Sequence, residues 1–137
     1  MPVLYQEGIR QTAYTEITTS TTTTSTTYVD LLSLTITTGA NSVIAHFSAS
    51  NANSADTQWT EFQLVLDGTP LRGIAYESVS SGNGDSGSIV YKTSVLTAGS
   101  HTFTIQWHIG PFSGGNANLD PSSSIGHASF YLEEVTV

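Results

Sequence analysis

Four histidines are the side chains of this sequence best suited to metal or acid–base chemistry. They are His46, His101, His108 and His127. No two are separated by two or four residues, the spacings that place side chains on one face of a strand or a helix, and no acidic neighbour completes a site. Because a tetrahedral zinc site needs several converging ligands, we predict no zinc site. His101 follows a turn sequence, and we expect it to hydrogen-bond that turn.

The string Gly84-Asp85-Ser86-Gly87 resembles the nucleophile segment of trypsin-like proteases. His46 precedes it and Asp56 or Asp67 lies between, so the chain order of a His, Asp, Ser triad exists. However, Ser88 stands where the protease motif has a second glycine, and the chain is too short for the two barrels that hold such a triad. A triad is defined by geometry rather than by order. We therefore predict a hairpin loop over residues 83–87 and no enzymatic activity.

Carboxylates near loops or strand ends could supply oxygen ligands for calcium. The candidates are Asp85, Asp120, Glu133 and Glu134. No loop has the regular acidic spacing of a calcium-binding loop, so the simpler interpretation is a solvated acidic face. We predict no metal site and no cofactor.

Aromatic residues could build either a sugar-stacking platform or an oligomer interface, because each ring buries much area at a small entropic cost. Trp59, Trp107, Tyr76, Tyr91 and Tyr131 are the members of this set. We expect Trp59 and Tyr91 to lie at an interface. The side chains assigned to the core are Phe62, Phe103, Trp107 and Phe130.

Composition excludes several classes of protein. With 137 residues the chain fits one domain. It has no cysteine, and its three basic and eleven acidic residues give a net charge of -8, which disfavours nucleic-acid binding. Its start has neither a basic segment nor a long apolar run, so we expect neither a secretory signal nor a membrane anchor. Charged residues make up 10% of the chain and Ser and Thr abound, which suits neutral sheets that pack into assemblies.

The most informative segment is a turn, Thr97-Ala98-Gly99-Ser100, followed by an alternating strand. Phe103, Ile105 and Trp107 fall on one face of that strand because side chains alternate with period two. Thr102, Thr104 and Gln106 fall on the other, which His108 could continue. We expect the first face to fill a core and the second to meet water or a partner.

Similar runs recur along the chain and predict seven or eight strands at spacings of roughly ten to fifteen residues, hence an antiparallel sandwich or barrel. The Ser/Thr run at residues 18–27 fits either a solvated linker or an extended strand. Asp67-Gly68 is expected to make a hairpin turn. The other expected strands are 28–38, 43–50, 59–66, 71–76, 88–96 and 128–137, with loops at 51–58, 78–87 and 110–126.

Four segments in this order resemble the jelly-roll modules of tailed-phage virions, found in head decoration proteins and at tail-fibre tips. They are the Ser/Thr-rich entry into residues 28–38, the strand 43–50, Phe62–Gly68, and Leu96–Thr102 with Gln106-Trp107. More distantly the chain is similar to trimeric jelly rolls of the tumour-necrosis-factor-like class. The resemblance covers about residues 20–137 and implies an all-β, antiparallel, eight-stranded jelly-roll sandwich, placed at 18–137, and a homotrimer. Residues 1–12 lack periodicity, so we expect an extended N-terminal arm at 1–17, in which residues 13–17 could pair as a short strand.

The leading hypothesis from this resemblance is a structural protein of the virion surface, assembled in the host cytoplasm. It would be a trimeric capsid decoration protein that stabilises the phage head through many contacts with the major capsid protein. The alternative is a tail-fibre or adhesin module that binds carbohydrate through its loops. The expected capsid-binding arm residues are Pro2, Val3, Leu4, Tyr5 and Ile9. The expected trimer interface residues are Trp59, Tyr91, Thr102, Thr104, Gln106 and His108.

Overall fold

The computed structural model of the chain describes residues 10–53, 59–77, 84–110, 115–122 and 126–136, with the backbone alone at 51–53, 76–77 and 84–85. Within these ranges every regular element is a β-strand and every pairing is antiparallel, so the all-β class is confirmed. This part of the chain contains no helix of the length and apolarity needed to cross a membrane. The strands are β1 Thr12–Glu16, β2 Thr21–Thr23, β3 Val29–Thr38, β4 Ser42–Asn53, β5 Trp59–Leu66, β6 Thr69–Glu77, β7 Gly84–Lys92, β8 Gly99–Ile109, β9 Ala117–Leu119 and β10 Ala128–Val135.

The strands form two sheets. The six-stranded sheet has the order β1-β10-β4-β9-β2, with β7 also paired to β4, and the four-stranded sheet has the order β3-β8-β5-β6. Setting aside the three-residue strands β2 and β9, which pair with each other, eight longer strands remain. Among those eight, the first pairs with the last (β1 with β10), the second with the seventh (β3 with β8), the third with the sixth (β4 with β7) and the fourth with the fifth (β5 with β6).

The core lies between the two sheets and is built from alternate residues of the long strands. Phe47 of the six-stranded sheet meets Phe62 of the four-stranded sheet at a ring-centroid distance of 5.2 Å, and Phe62 stacks on Trp107 at 6.0 Å. Burial of each such ring contributes roughly 1.5–3 kcal/mol. The four predicted core residues Phe62, Phe103, Trp107 and Phe130 are each at most 1% exposed, so this prediction is confirmed.

The hairpin between β5 and β6 turns at Asp67-Gly68, as expected. Both residues have positive φ, 47° and 83°. This is the combination that a two-residue hairpin turn of type I′ requires, and Asp and Gly tolerate it better than most residues. The hairpin fixes the alignment of β5 with β6, in which Leu66 faces Thr69.

Strand β1 lies within residues 1–17, where the sequence allows a short strand at residues 13–17. It pairs with β10, with Tyr14 opposite Tyr131. Ile17 is 8% exposed, and its N–H donates to the carbonyl of Ala128 over 3.0 Å. Of the Ser/Thr run, Thr21–Thr23 forms β2, so the strand interpretation holds for three residues of that run.

Two expected loops contain strands. Strand β7 begins at Gly84, so Gly84-Asp85-Ser86-Gly87 lies in the ladder with β4 rather than in a hairpin loop, and the strand ends at Lys92 rather than at residue 96. The expected loop 110–126 contains β9. With β1, β2 and β9 the described residues contain ten strands, where the sequence predicts seven or eight.

Glu134 connects three segments at one end of the six-stranded sheet. It is 3% exposed, and its carboxylate accepts hydrogen bonds from the N–H of Gly39 (2.8 Å), the side-chain amide of Asn41 (2.7 Å) and the N–H of Gln11 (3.2 Å). These donors, with the Asn41 amide first, lower the pKa of Glu134 from its usual 4.5. The carboxylate thereby ties the approach to β1 and the turn between β3 and β4 to strand β10.

Candidate functional site

The outer face of the four-stranded sheet carries most of the predicted trimer interface. In β8, Thr102 and Thr104 point outward between buried neighbours, so the predicted alternation is confirmed. Their hydroxyls pair with β3. The Thr102 hydroxyl lies 3.0 Å from that of Thr35, and the Thr104 hydroxyl lies 3.2 Å from that of Ser33. The hydroxyls of this face therefore already have partners within the sheet.

Gln106 continues the same face in a ladder that crosses three strands. The side-chain amide of Gln63 on β5 donates to the Gln106 carbonyl oxygen over 2.7 Å. The amide of Gln106 in turn donates to the Asp30 carboxylate on β3, also over 2.7 Å. The register sets this ladder, because both Gln63 and Asp30 lie directly opposite Gln106.

His108 lies on this face too, but Tyr28 covers it. The two rings meet edge to face at a centroid distance of 4.3 Å, and His108 is 8% exposed. Its Nε2 lies 3.0 Å from Oε2 of Glu61, which also accepts the Tyr28 hydroxyl over 3.2 Å, and its Nδ1 lies 2.8 Å from the carbonyl of Ile109. Burial first, and then the Glu61 carboxylate, raise the pKa of Tyr28 to about 12. The cluster holds the approach to β3 against the sheet and leaves little of His108 for a partner.

Trp59 lies at the far end of this face and is 42% exposed. Its carbonyl accepts the N–H of Gly110 over 2.8 Å. A Cβ at Gly110 would lie 3.1 Å from the Trp59 Cβ and 3.5 Å from its Cγ. Because Gly110 has no side chain, the Trp59 side chain can pack directly against its backbone.

Tyr91 does not share a surface with the other predicted interface residues. It follows Ile89, which is 1% exposed, by two positions in β7, so its ring points inward and packs against the core. The guanidinium of Arg72 on β6 lies 5.7 Å from the Tyr91 ring centroid. This contact links strand β6 of one sheet to strand β7 of the other at that edge of the sandwich. The structure therefore places five of the six predicted interface residues on one outer face and Tyr91 at the edge of the sandwich; a trimer contact stays a prediction.

His101 makes the turn contacts expected of it and one more. Its Nε2 lies 2.8 Å from the carbonyl of Thr97, and its Nδ1 lies 2.7 Å from Oδ2 of Asp67 in the β5–β6 hairpin. Asp67 Oδ1 accepts the N–H of Thr102. The Asp67 carboxylate raises the pKa of His101 above its usual 6.5, and His101 lowers the pKa of Asp67 below its usual 3.8. Since a carbonyl and a carboxylate both accept, the ring donates from both nitrogens as an imidazolium. This pair fastens a hairpin to β8 and leaves no ring nitrogen for a metal.

Of the carboxylates considered for calcium, those of Asp120, Glu133 and Glu134 are described, and they do not converge. Glu134 is occupied by three N–H donors, and Glu133 lies 3.6 Å from Arg10. Asp120 accepts both the N–H and the hydroxyl of Ser122, and these bonds lower its pKa. Throughout the described ranges no three or more His, Cys, Asp or Glu side chains lie together as a metal site would require.

Several predicted site residues lie outside the described residues. They are the arm residues Pro2, Val3, Leu4, Tyr5 and Ile9, together with residues 54–58, 78–83, 111–114 and 123–125 of the candidate carbohydrate loops. The side chains of Tyr76 and Asp85 are likewise outside the description.

A second surface, on the outer face of the six-stranded sheet, is missing from the sequence prediction except for Tyr131. Tyr14, Tyr131, His46 and Val90 lie opposite one another across β1, β10, β4 and β7. Tyr14 is 58% exposed and Val90 is 54% exposed. We call these four residues the aromatic row.

The chain is similar to solved structures but matches no known family. No protein-family model matches the chain, and no curated protein matches it. Among solved structures the chain is similar to one titled "Structure of infectious bursal disease virus Gx strain", with 11% sequence identity and a TM-score of 0.49. The similarity covers 91% of this chain and 36% of that one, so this chain spans little more than a third of that chain's length. The function of this chain must therefore be inferred from its own strand order and surfaces.

Proposed function

We propose that this chain is a structural module of a virion and that its eight longer strands form a jelly roll. The observation that carries the proposal is the pairing order, in which the first of the eight pairs with the last and each next strand pairs with the one before it from the end. Such a chain is one long antiparallel ribbon wrapped into two sheets, which is the plan of a jelly roll with its two Greek keys.

Three large groups of proteins use this plan: viral capsid domains, lectin domains and cupins. The third group is the least suitable, because the described histidines do not converge and His101 and His108 are committed to internal hydrogen bonds. On the outer face of the four-stranded sheet the polar side chains, including the carboxylates of Asp30 and Glu61, are hydrogen-bonded to their neighbours, which suits a protein that packs among others in a shell. A net charge of -8 disfavours a nucleic-acid partner.

In its specific form the proposal is a homotrimeric decoration protein on the outer surface of a phage head, without enzymatic activity and assembled in the host cytoplasm. The outer face around Thr102, Thr104 and Gln106 forms the trimer contact, and residues 1–9 bind the major capsid protein. Three arms on one trimer raise the effective concentration of each, so weak individual contacts add up to firm attachment.

Deletion of residues 1–9 tests this proposal. The deletion ends there because the backbone of Gln11 bonds to Glu134 and Thr12 begins β1, so a longer deletion would damage the fold. We expect the full chain to co-sediment with undecorated capsids of the phage that carries its coding sequence, and the shortened chain to lose at least tenfold in affinity. Absence of binding by the full chain, or equal binding by both chains, would refute the decoration role.

The second candidate function is carbohydrate binding, and the position of Trp59 favours it. Its indole is exposed, follows the 54–58 segment directly and rests against Gly110, where the 111–114 segment begins. An exposed indole beside loops is the usual platform for a sugar ring. A glycan array should detect saccharide binding that Trp59→Ala abolishes and Tyr14→Ala, an exposed aromatic on the opposite sheet, leaves unchanged. An array with no binding by the native chain would eliminate this candidate.

A further inference from the structure

The aromatic row brings two exposed large hydrophobic side chains, Tyr14 and Val90, into one register row with Tyr131 and His46. Four strands contribute one side chain each, in direct register, and ring contact extends across the middle, where His46 and Tyr131 lie 6.2 Å apart between centroids. Ile44, two residues before His46 on the same face, is partly exposed and widens the patch. Contiguous apolar patches on a soluble protein mark contact surfaces, whereas single exposed apolar residues do not.

Polar and charged side chains surround this patch. On one side, Glu133 and Lys92 flank Ile44 in register, and Arg10 lies 3.6 Å from Glu133. On the other side, Ser129, Ser48 and Ser88 form a row of hydroxyls. An apolar centre with tyrosines and a polar rim is the anatomy of a protein–protein interface.

The two outer faces of the sandwich differ in what a partner would gain. On the four-stranded sheet, the hydrogen-bonded side chains of Thr102, Thr104 and Gln106 offer a polar contact surface, and Trp59, 42% exposed, lies at its far end. On the six-stranded sheet, Tyr14 and Val90 are 58% and 54% exposed and lie in one register row with Tyr131 and His46. A partner that docks on the centre of the six-stranded sheet therefore removes apolar surface from water.

We propose that the outer face of the six-stranded sheet binds a second copy of this chain, face to face around a twofold axis. With the axis parallel to the strands and between β10 and β4, β1 of one copy lies over β7 of the other. Tyr14 then covers the partner's Val90, and Tyr131 covers the partner's His46. In the neighbouring row, Lys92 covers the partner's Thr12 and lies one strand away from the partner's Glu133, so their opposite charges attract across the contact.

The available area limits this contact to a weak one. Strand β1 has five residues, so the two outer strand pairs overlap over about five residues each and the two central pairs over about eight. With strands about 4.8 Å apart and about 3.3 Å per residue, this is about 400 Å² per copy, or about 800 Å² in total. Stable protein–protein interfaces begin at about 1,000–1,200 Å², so the contact is reversible and depends on concentration. It is separate from the trimer contact and from capsid binding, and it stands if either of those fails.

Cross-linking through single cysteines tests this contact, because the chain contains no cysteine of its own. Ser48→Cys lies on β4 beside the expected axis, about 11 Å from its counterpart if the sheets pack about 10 Å apart. We expect a bismaleimide of that length to join two chains of Ser48→Cys. We also expect the added change Tyr131→Glu to reduce the joined product at least tenfold.

Thr104→Cys is the matched control, because it lies on the outer face of the four-stranded sheet and reports contacts made there. Its cross-linking should not change when Tyr131→Glu is added, and circular dichroism of each variant checks that the strands remain. Failure of folded Ser48→Cys to cross-link would overturn the proposal, as would a Ser48→Cys product that persists with Tyr131→Glu. Sedimentation equilibrium of the native chain gives a second reading, and a native chain that stays at 14.5 kDa up to millimolar concentration would also overturn it.

Discussion

The buried carboxylate of Glu134 gives the sharpest stability prediction, because its three donors tie two distant segments, the β3–β4 turn and the approach to β1, to strand β10. Replacement by glutamine keeps the size and shape of the side chain but leaves a single oxygen. With that oxygen toward Gly39 and Asn41, the new amide group faces the N–H of Gln11, so two donors oppose each other at the 3.2 Å contact.

The expected cost follows from the number and kind of bonds. Hydrogen bonds to a charged group contribute about 1.5–3 kcal/mol each and neutral ones about 0.5–1.5, so each of the two retained bonds weakens by about 1 kcal/mol. The lost bond and the buried donor without a partner add at least about 1 kcal/mol. We therefore expect Glu134→Gln to lower the free energy of unfolding by about 3 kcal/mol at pH 7.

Urea unfolding followed by tryptophan fluorescence measures this loss, since Trp107 is 1% exposed when folded. For a slope of about 2 kcal/mol per molar urea, the midpoint should fall by about 1.5 M. Glu133→Gln is the matched control. Glu133 is the adjacent residue, its side chain is 33% exposed and its ion pair with Arg10 is long, so we expect a loss below about 0.5 kcal/mol.

The same pair of variants gives a pH test with a definite sign. Because the folded-state pKa of Glu134 lies below its usual 4.5, the unfolded chain binds more protons in this range and stability rises with pH. The contribution of Glu134 is complete above about pH 4.5 and disappears as pH falls through the lowered value. The difference between the native chain and Glu134→Gln should therefore shrink on acidification from pH 7 to 3. Equal losses for Glu133→Gln and Glu134→Gln, or a difference that does not change with pH, would refute the assigned role of Glu134.

Three further predictions concern the turns and the exposed indole. The pKa of His101 is raised above 6.5, so its contribution to stability is complete below about pH 6.5 and is lost as pH rises through the raised value. Between pH 6 and 9, the urea midpoint of the native chain should therefore fall more than that of His101→Gln. Parallel pH profiles of the two proteins would contradict this. Gly126 has φ of 123°, and a Cβ there would lie 2.3 Å from the backbone nitrogen of Asp120. Gly126→Ala should therefore lower the free energy of unfolding by about 3 kcal/mol or more. Gly68 also has positive φ but has open space around it, so Gly68→Ala should lower it by only about 1 kcal/mol. Thermal unfolding that ranks the two alanine variants equally would show that the close approach is absent. Gly110→Ala should displace the Trp59 indole and change the fluorescence quenching of the folded chain by acrylamide, with little change in the fluorescence of buried Trp107; an unchanged quenching curve would contradict the contact.

The inward-facing side chains could be predicted because alternation is a local property of a strand. In β8, Phe103 and Ile105 are fully buried and the intervening Thr104 is not. The Asp67-Gly68 turn is equally local, since it depends on the φ values that these two residues tolerate. These features need no knowledge of which strands become neighbours.

Strands β1 and β2 depend on distant partners, and the sequence could not define them in the same way. The Ser/Thr run has no apolar alternation, and Thr21–Thr23 becomes a strand because Ala117–Leu119 lies opposite it. Thr12–Glu16 joins the sheet because it covers the edge of β10, more than one hundred residues away in sequence. Residues expected to form an arm are thus held in the sheet by long-range pairing.

Side-chain parity and strand order carry different information about the outer surfaces. Parity excludes Tyr91 from an outer face, because buried Ile89 lies two residues before it in β7, and it leaves Tyr131 outside, because it lies between two buried residues of β10. Only the strand order brings Tyr14 and Val90 into line with Tyr131, since each comes from a strand far away in sequence. An interface built across strands therefore cannot be predicted from any one strand. Tyr14, His46 and Val90 could be assigned to the same surface as Tyr131 only once the pairing of β1, β10, β4 and β7 was known.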